Sequence, residues 1–276
     1  MADEISPPAG DRPPVGDRPP VDDRPTALSA FLTAVQFLLI SPAFIKRAFT
    51  PQELGAAVGY YPVVGLILGA ILWGADGLLG LFLAPLVRAA LVLALWVVLT
   101  GALHLDGFLD ACDGLLGGTT PEQRMQIMRD ERLGAYALAG GALLLLVKFS
   151  ALASIGAWSP ALLLAPVLGR WGMAVAVTAF PYGRPQGLGR DVKDNAGPRQ
   201  TVRASIFGLI VLTGLGLWGG ARLVPLALAA AAAALTVWLV ARSTLARIPG
   251  LTGDIYGAIN ELAEAAALVI FAAFLA

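Results

Sequence analysis

Three aspartates at helical spacing are the residues of this sequence that most directly suggest chemistry. Asp106, Asp110 and Asp113 are spaced i, i+4 and i+7, which places them on one face of an α-helix. Their negative charges repel one another, so packing alone gives no reason for the pattern. Mg²⁺ commonly combines a few carboxylates with substrate phosphate. The spacing therefore predicts phosphoryl or phosphodiester transfer at a magnesium site.

Neighbouring residues extend this candidate site. His104, the one histidine of the chain, could act as a general base or bind phosphate, or it could be a structural residue. Asp130 could complete the metal site, while Arg129 and Arg132 could bind phosphate through bidentate hydrogen bonds. The structural alternatives are that the three aspartates belong to a solvated helix end and that the cluster around Asp130 is a salt-bridged surface turn. Apolar neighbours favour a functional site for the three aspartates.

A second acidic stripe lies near the C-terminus. Asp254, Glu261 and Glu264 are spaced i, i+7 and i+10, and no charged residue follows them. Burying the two glutamates requires a metal, a cationic partner or protonation. Lys148 and Arg170, each in the middle of an apolar run, are candidate partners. They could form structural ion pairs or bind phosphate, and the sequence leaves both interpretations open.

A basic loop rich in glycine lies between two apolar runs. Gly187 and Gly189 alternate with Arg184, Arg190 and Lys193. Such a segment is typical of a mobile loop that closes over an anionic ligand. It is not a P-loop, because no Gly-Lys-Ser/Thr pattern follows, and the sequence has no dinucleotide-binding fingerprint.

The elements that must position these residues are membrane helices. The chain of 276 residues is 57% hydrophobic and 14% charged, and its mean hydropathy is +0.75, whereas soluble domains carry about 25% charged residues. A net charge of zero excludes a nucleic-acid binder that works through a basic field. One cysteine excludes a disulfide framework. The composition predicts an all-α, polytopic helical bundle embedded in the lipid bilayer.

Apolar runs of about 20 residues, the length that crosses the hydrocarbon, predict about seven transmembrane helices. The predicted spans are residues 57–75, 86–104, 134–156, 160–180, 204–222, 224–241 and 258–276. Residues 27–45 form a shorter run that favours an interfacial helix or a partial insertion. The distribution of Lys and Arg predicts a cytoplasmic location for three polar loops, at 105–133, 181–203 and 242–257.

Residues 1–26 differ from the rest of the chain. The hexapeptide Gly-Asp-Arg-Pro-Pro-Val occurs twice in succession, and seven prolines fall within the first 25 residues. Such a segment cannot bury enough apolar surface to fold. The sequence therefore predicts a disordered tail followed by one membrane-embedded catalytic domain at 27–276. Binding of a partner is the alternative to an inert tail.

These clusters, in this order, resemble the cobalamin synthase family, the adenosylcobinamide-GDP ribazoletransferases. The resemblance covers residues 28–276, where Lys148 and Arg170 also match. Its motifs are His-Leu-Asp-Gly-x-x-Asp-x-x-Asp-Gly at 104–114, Met-Arg-Asp-x-Arg-Leu-Gly at 128–134, Gly-Leu-Gly at 187–189 and Thr-Gly-Asp-x-x-Gly-Ala-x-x-Glu-x-x-Glu at 252–264. Pro249-Gly250 stands where the family usually has two glycines.

The resemblance implies an Mg²⁺-dependent enzyme of the cytoplasmic (inner) membrane whose active site faces the cytoplasm. It would join adenosylcobinamide-GDP to α-ribazole, or to its 5′-phosphate, with release of GMP. The expected metal ligands are Asp106, Asp110, Asp113 and Asp130, and His104 or one of these aspartates is the expected base. The residues expected to bind substrate or phosphate are Arg129, Asp130, Arg132, Lys148, Arg170, Arg184, Gly187, Gly189, Asp254, Glu261 and Glu264.

Two other functions fit the sequence less well. A CDP-alcohol phosphotransferase would continue its Asp-x-x-Asp-Gly motif with x-x-Ala-Arg, but Gly114 is followed by Leu-Leu-Gly-Gly. An ion-coupled transporter could use the buried charges as a pathway, but the acidic groups gather at one face and the spans show no internal repeat. A homo-oligomer and an association with other enzymes of the cobalamin nucleotide loop both stay open.

Overall fold

The computed structural model describes residues 25–218 and 223–275, and these residues form helices and no strand. The predicted all-α fold is therefore confirmed, while the predicted tail lies outside the described residues apart from 25 and 26. The helices are α1 (Ala27–Leu38), α2 (Pro51–Ala57), α3 (Tyr61–Leu79), α4 (Pro85–Leu99), α5 (Leu103–Gly117), α6 (Pro121–Ile127), α7 (Ala135–Ser154), α8 (Ala161–Ala179), α9 (Leu188–Asn195), α10 (Pro198–Leu217), α11 (Leu223–Leu245) and α12 (Gly253–Leu275).

Six helical segments within the described ranges are long and apolar enough to cross a membrane, and a seventh span is possible where α4 and α5 follow each other. The six are Pro51–Leu79, α7, α8, α10, α11 and α12. The protein is thus a multi-pass membrane protein, as the hydropathy predicts. Residues 27–45 contain a helix of 12 residues, α1, which is too short to span the hydrocarbon.

The predicted span at 86–104 is wrong as a single straight helix. α4 ends at Leu99, and the chain bends by 89° into α5. Gly101 and Ala102 produce the bend with left-handed backbone angles, φ of +59° and +57°. Because of this turn, the aspartate-bearing α5 leaves the direction of α4 instead of extending it.

α8 is the centre of the bundle, and most of its residues are buried, chiefly against α3 and α12. Glycines allow the close approach of α3. A Cβ on Gly65 would lie 2.5 Å from the carbonyl oxygen of Pro166, and one on Gly69 would lie 2.7 Å from that of Leu162. Small residues four apart are a common means of bringing two membrane helices together.

Glycines also allow the close approach of α5 and α12. A Cβ on Gly107 would lie 3.1 Å from the Cα of Asp254, and a Cβ on Gly257 would lie 2.9 Å from the carbonyl oxygen of His104. The helix that carries the first acidic motif therefore packs directly on the helix that carries the second.

The opposite end of the bundle is held by a buried ion pair. The Arg88 guanidinium lies 3.1 Å from the Asp76 carboxylate, and it also donates to the carbonyl oxygen of Ile155 at 2.6 Å. Asp76 accepts the backbone N–H of Trp158, whose ring contacts Trp73. Aromatic residues are enriched where membrane helices meet the headgroups. These contacts fix the turns at the end of the bundle that lies away from the acidic motifs.

Candidate active site

Two of the three α5 aspartates are available to a ligand. Asp106 is exposed and Asp110 is half-buried. Within the described residues, neither carboxylate accepts a hydrogen bond or forms an ion pair, in contrast to Asp113 and Asp254. Both line a cavity of about 450 Å³. We call it the charged cavity; the ionisable side chains that we use to define it are Asp106, Asp110, Arg129, Asp130, Arg132 and Arg184.

Asp113 has a different role from its two neighbours. Its Oδ2 accepts the backbone N–H of Gly134 at 2.6 Å, and its Oδ1 accepts that of Ala137 at 2.9 Å. Gly134 is the N-cap residue of α7 and has no side chain to cap the helix. The Asp113 carboxylate supplies the cap from another helix and faces the positive end of the α7 dipole. The structure therefore places Asp113 as a helix cap and not in the charged cavity.

The expected set of four metal ligands is not assembled as a cluster. Among the residues that the structure describes, no three His, Cys, Asp or Glu side chains lie close enough to hold a metal ion together. Asp130 accepts the backbone N–H of Arg132 at 3.1 Å within an exposed turn. Asp106 and Asp110 nevertheless suit Mg²⁺, because this ion often uses one or two carboxylates and completes its coordination with phosphate and water. The requirement for magnesium stays a prediction.

Arg184 connects the loop before α9 to α12. Its Nη2 donates to Oδ2 of Asp254 at 2.6 Å and to the carbonyl oxygen of Met128 at 3.3 Å. The hydroxyl of Thr252 also donates to Asp254, at 3.1 Å. The Asp254 carboxylate is thus occupied in holding Arg184, so the second acidic motif positions a cation at the edge of the charged cavity.

A second cavity adjoins the first. It has a volume of about 310 Å³, and the side chains that characterise it are Tyr61, His104, Met173, Val177, Tyr182 and Tyr256. We call it the aromatic cavity. Asp106 and Arg184 line both cavities, so they form the wall between the two.

The glycine-rich loop closes one side of the aromatic cavity, and it is anchored to its surroundings. Gly187 has a φ of +108°, which favours glycine. A Cβ on Gly189 would overlap the hydroxyl of Tyr182. Arg190 donates to the carbonyl oxygens of Arg184 and Tyr182, at 3.0 and 3.1 Å. Gly187 and Gly189 line the aromatic cavity, so the structure does not bring them to the charged cavity as phosphate ligands.

Lys193 is also held by contacts with the protein. Its Nζ donates to the carbonyl oxygens of Val177 and Thr178 at the end of α8, at 2.8 and 3.1 Å. Burial lowers the pKa of its ammonium group, and the nearby Arg190 lowers it further. Of the three cations in this loop region, Arg184 alone lines a cavity.

Lys148, Arg170, Glu261 and Glu264 form a buried, charge-balanced network, which we call the quartet. Nζ of Lys148 lies 2.5 Å from Glu261 and 2.6 Å from Glu264, and Arg170 pairs with the other oxygen of Glu264. None of the four lines either cavity. The geometry thus supports structural ion pairs that connect α7, α8 and α12, and it gives no support to phosphate binding by the two cations.

Comparison with known proteins decides the family. A sequence model of the family described as cobalamin-5-phosphate synthase matches residues 30–272. The chain belongs to this family. A relative from Stutzerimonas stutzeri is 44% identical over 241 residues, which are 86% of this chain and 95% of the relative.

Further members of the family support the same assignment. A relative from Pseudomonas paraeruginosa is 43% identical over 89% of this chain and 98% of its own. One from Desulfitobacterium hafniense is 39% identical over 84% of this chain and 91% of its own. All three relatives are named adenosylcobinamide-GDP ribazoletransferase. No solved structure matches the chain. The comparison leaves the CDP-alcohol phosphotransferase and transporter alternatives without support.

The structure adds residues of this family member that the charge pattern did not identify. Tyr61, Tyr182 and Tyr256 line the aromatic cavity, and the rings of the last two lie 6.0 Å apart. Their positions in sequence offered a signal, because Tyr182 precedes Arg184 by two residues and Tyr256 follows Asp254 by two. A search for side chains that are charged at neutral pH passes over tyrosines.

Proposed function

We propose that this protein joins adenosylcobinamide-GDP to α-ribazole, or to α-ribazole 5′-phosphate, and releases GMP. The named relatives support the proposal, and one structural observation carries it. Two carboxylates without a partner among the residues that the structure describes, Asp106 and Asp110, share a cavity with Arg129, Arg132 and Arg184. Carboxylates and arginines in one open cavity suit a pyrophosphate substrate, because the arginines bind phosphate oxygens and the carboxylates can hold a divalent cation.

The reaction transfers a substituted phosphoryl group. A hydroxyl oxygen of the ribazole attacks the phosphorus that carries the cobinamide. A new P–O bond forms, the bond from that phosphorus to the bridging oxygen breaks, and GMP leaves with the bonding electrons. Such reactions depend mainly on positioning and on stabilising the charge of the phosphate oxygens.

The side chains of the charged cavity divide this work. Arg129 and Arg132 are exposed at its edge, where they can bind the guanylate phosphate that departs. Arg184 is held by Asp254 and lies between the two cavities, where it can bind the phosphate that is transferred. A fixed guanidinium lowers the barrier because it needs no reorganisation during the reaction.

Asp106 is the best-placed acceptor for the proton of the attacking hydroxyl, because among the acidic residues it alone lines both cavities. Asp110, together with the remaining oxygen of Asp106, would hold Mg²⁺. When bound, this ion would neutralise charge on the phosphate oxygens. His104 is 2% exposed and lines the aromatic cavity but not the charged cavity that contains Asp110, Arg129 and Arg132, so we do not assign it the proton transfer.

We further propose that the enzyme lies in the cytoplasmic membrane with the charged cavity facing the cytoplasm. The exposed Arg129, Arg132 and Arg199 lie at the end of the bundle that carries the charged cavity. An excess of Lys and Arg in short loops marks the cytoplasmic side of membrane proteins.

The direct test uses purified protein in detergent with Mg²⁺, adenosylcobinamide-GDP and α-ribazole. Equal amounts of GMP and a cobalamin should form, and omission of α-ribazole should abolish both products. Release of GMP without α-ribazole would indicate a hydrolase, and no release of GMP with all components present would contradict the proposed reaction.

A further inference from the structure

The aromatic cavity has a composition that the transfer of phosphate does not explain. Tyr61, Tyr182 and Tyr256 contribute three rings, and Met173 and Val177 add apolar side chains from α8. All five residues are buried. Pockets of a few hundred Å³ with apolar and aromatic walls usually bind a flat or apolar group, and a small number of polar atoms fix its orientation.

Polar atoms at this cavity lack partners within the described part of the chain. The hydroxyl of Tyr256 is buried and has no hydrogen-bond partner, and the same holds for both ring nitrogens of His104. Tyr256 is 7% exposed and His104 is 2% exposed, and both line the cavity. A buried polar atom without a partner is unfavourable, so a ligand that offers one or two polar atoms would bind here with an advantage.

We propose that the aromatic cavity binds the base of α-ribazole, an assignment that rests on the proposed function. The base is a flat, uncharged, bicyclic ring that can pack against the tyrosine rings. Its one free ring nitrogen accepts a hydrogen bond from the hydroxyl of Tyr256. The ribose then lies at the wall formed by Asp106 and Arg184, where its hydroxyl can reach a phosphate in the charged cavity.

The other rings of the two substrates fit this cavity less well. The corrin ring is much larger than a cavity of about 310 Å³. Guanine has several donors and acceptors along its edges, and those that face the wall formed by Phe37, Leu38, Met173 and Val177 would stay unpaired. A base with a single free acceptor needs one donor, and the buried hydroxyl of Tyr256 can supply it.

The first test separates the two substrates by their KM values. Tyr256→Phe removes the hydroxyl and keeps the ring, and it should raise the KM for α-ribazole about tenfold, the usual effect of one hydrogen bond. The KM for adenosylcobinamide-GDP should not change. The matched control is Tyr136→Phe, because Tyr136 is exposed on α7 and lines neither cavity. A rise confined to adenosylcobinamide-GDP would overturn the assignment, as would a Tyr256→Phe variant that behaves like the control.

The second test uses the unaltered protein and free benzimidazole as the probe. Benzimidazole should compete with α-ribazole for the aromatic cavity and leave the KM for adenosylcobinamide-GDP unchanged. Competition with adenosylcobinamide-GDP instead, or no competition with α-ribazole, would overturn the assignment. The proposed function and the assignment of the aromatic cavity can be contradicted independently of each other. A wild-type protein that releases no GMP contradicts the function, whereas normal turnover without these selective effects contradicts only the role of the cavity.

Discussion

The backbone N–H of Gly134 donates to the carboxylate of Asp113 at 2.6 Å, although 21 residues separate the two. This hydrogen bond distinguishes Asp113 from Asp106 and Asp110, with which it shares a regular spacing on α5. The helix that needs the cap, α7, has glycine at its own N-cap position. One aspartate of the motif therefore stabilises the fold, whereas the other two have no partner among the described residues and line the charged cavity.

Replacing Asp113 should mainly reduce stability. Asp113→Ala leaves the first turn of α7 uncapped, and we expect a loss of about 1–2 kcal/mol in the free energy of unfolding. Thermal unfolding in detergent measures this as a lower Tm. Asp106→Ala is the matched control and should keep the wild-type Tm, since its carboxylate binds no described residue. Equal Tm values for the two variants would contradict the capping role.

The quartet should be structural. Lys148→Met leaves Glu261 and Glu264 buried with one cation between them, and we expect the free energy of unfolding to fall by about 3–5 kcal/mol. The double variant Lys148→Met/Glu261→Gln restores the charge balance and should recover part of the loss. If Lys148→Met instead kept the wild-type free energy of unfolding and raised only the KM for adenosylcobinamide-GDP, Lys148 would be a phosphate ligand.

The proposed orientation can be tested by labelling with a membrane-impermeant maleimide. Cys112 is the one cysteine of the chain and would first be changed to alanine. Glu122→Cys then places a thiol on α6, the helix that precedes the cavity-lining residues 128–133, and Ala84→Cys places one at the opposite end of the bundle, before α4. In intact spheroplasts we expect Ala84→Cys to be labelled and Glu122→Cys to be labelled only after lysis. The reverse pattern would place the charged cavity outside the cytoplasm.

Gly189 should be sensitive to a single added methyl group. A Cβ there overlaps the Tyr182 hydroxyl, so Gly189→Ala must displace the Tyr182 ring, which lines the aromatic cavity. We expect kcat/KM for α-ribazole to fall roughly tenfold, since small misplacements near a reacting group are costly. Gly214→Ala is the control, because a Cβ on Gly214 meets no atom within 4 Å. A similar kcat/KM in both variants would show that Tyr182 tolerates displacement.

Much of the architecture follows from local patterns of the sequence. Apolar runs predict the membrane helices because a span of the hydrocarbon requires about 20 such residues, whatever their partners. The same reasoning fails at 86–104, where Gly101 and Ala102 turn the chain by backbone conformation. A hydropathy sum does not detect such a turn, because both residues are small and compatible with an apolar helix.

The candidate site is predictable in part. Spacing alone identifies the acidic residues and the arginines, but it cannot tell which aspartate meets the backbone of a distant helix, as Asp113 meets Gly134. It also leaves open whether Lys148 binds phosphate or Glu261, because that choice depends on how α7 and α12 pack. The sequence does not predict the aromatic cavity. Tyr61 lies on α3, Tyr182 lies in the loop before α9 and Tyr256 lies on α12, and only the fold brings these segments together.

The most direct test of the central claim is the rate of GMP release by Asp110→Asn. This change keeps the size of the side chain and removes the negative charge that would hold Mg²⁺ in the charged cavity. We expect turnover of adenosylcobinamide-GDP and α-ribazole to fall by at least about a hundredfold, with an unchanged Tm. Cys112→Ala, on the same helix but outside that cavity, should keep the wild-type rate. Near-normal GMP release by Asp110→Asn would contradict the assignment of the charged cavity as the active site.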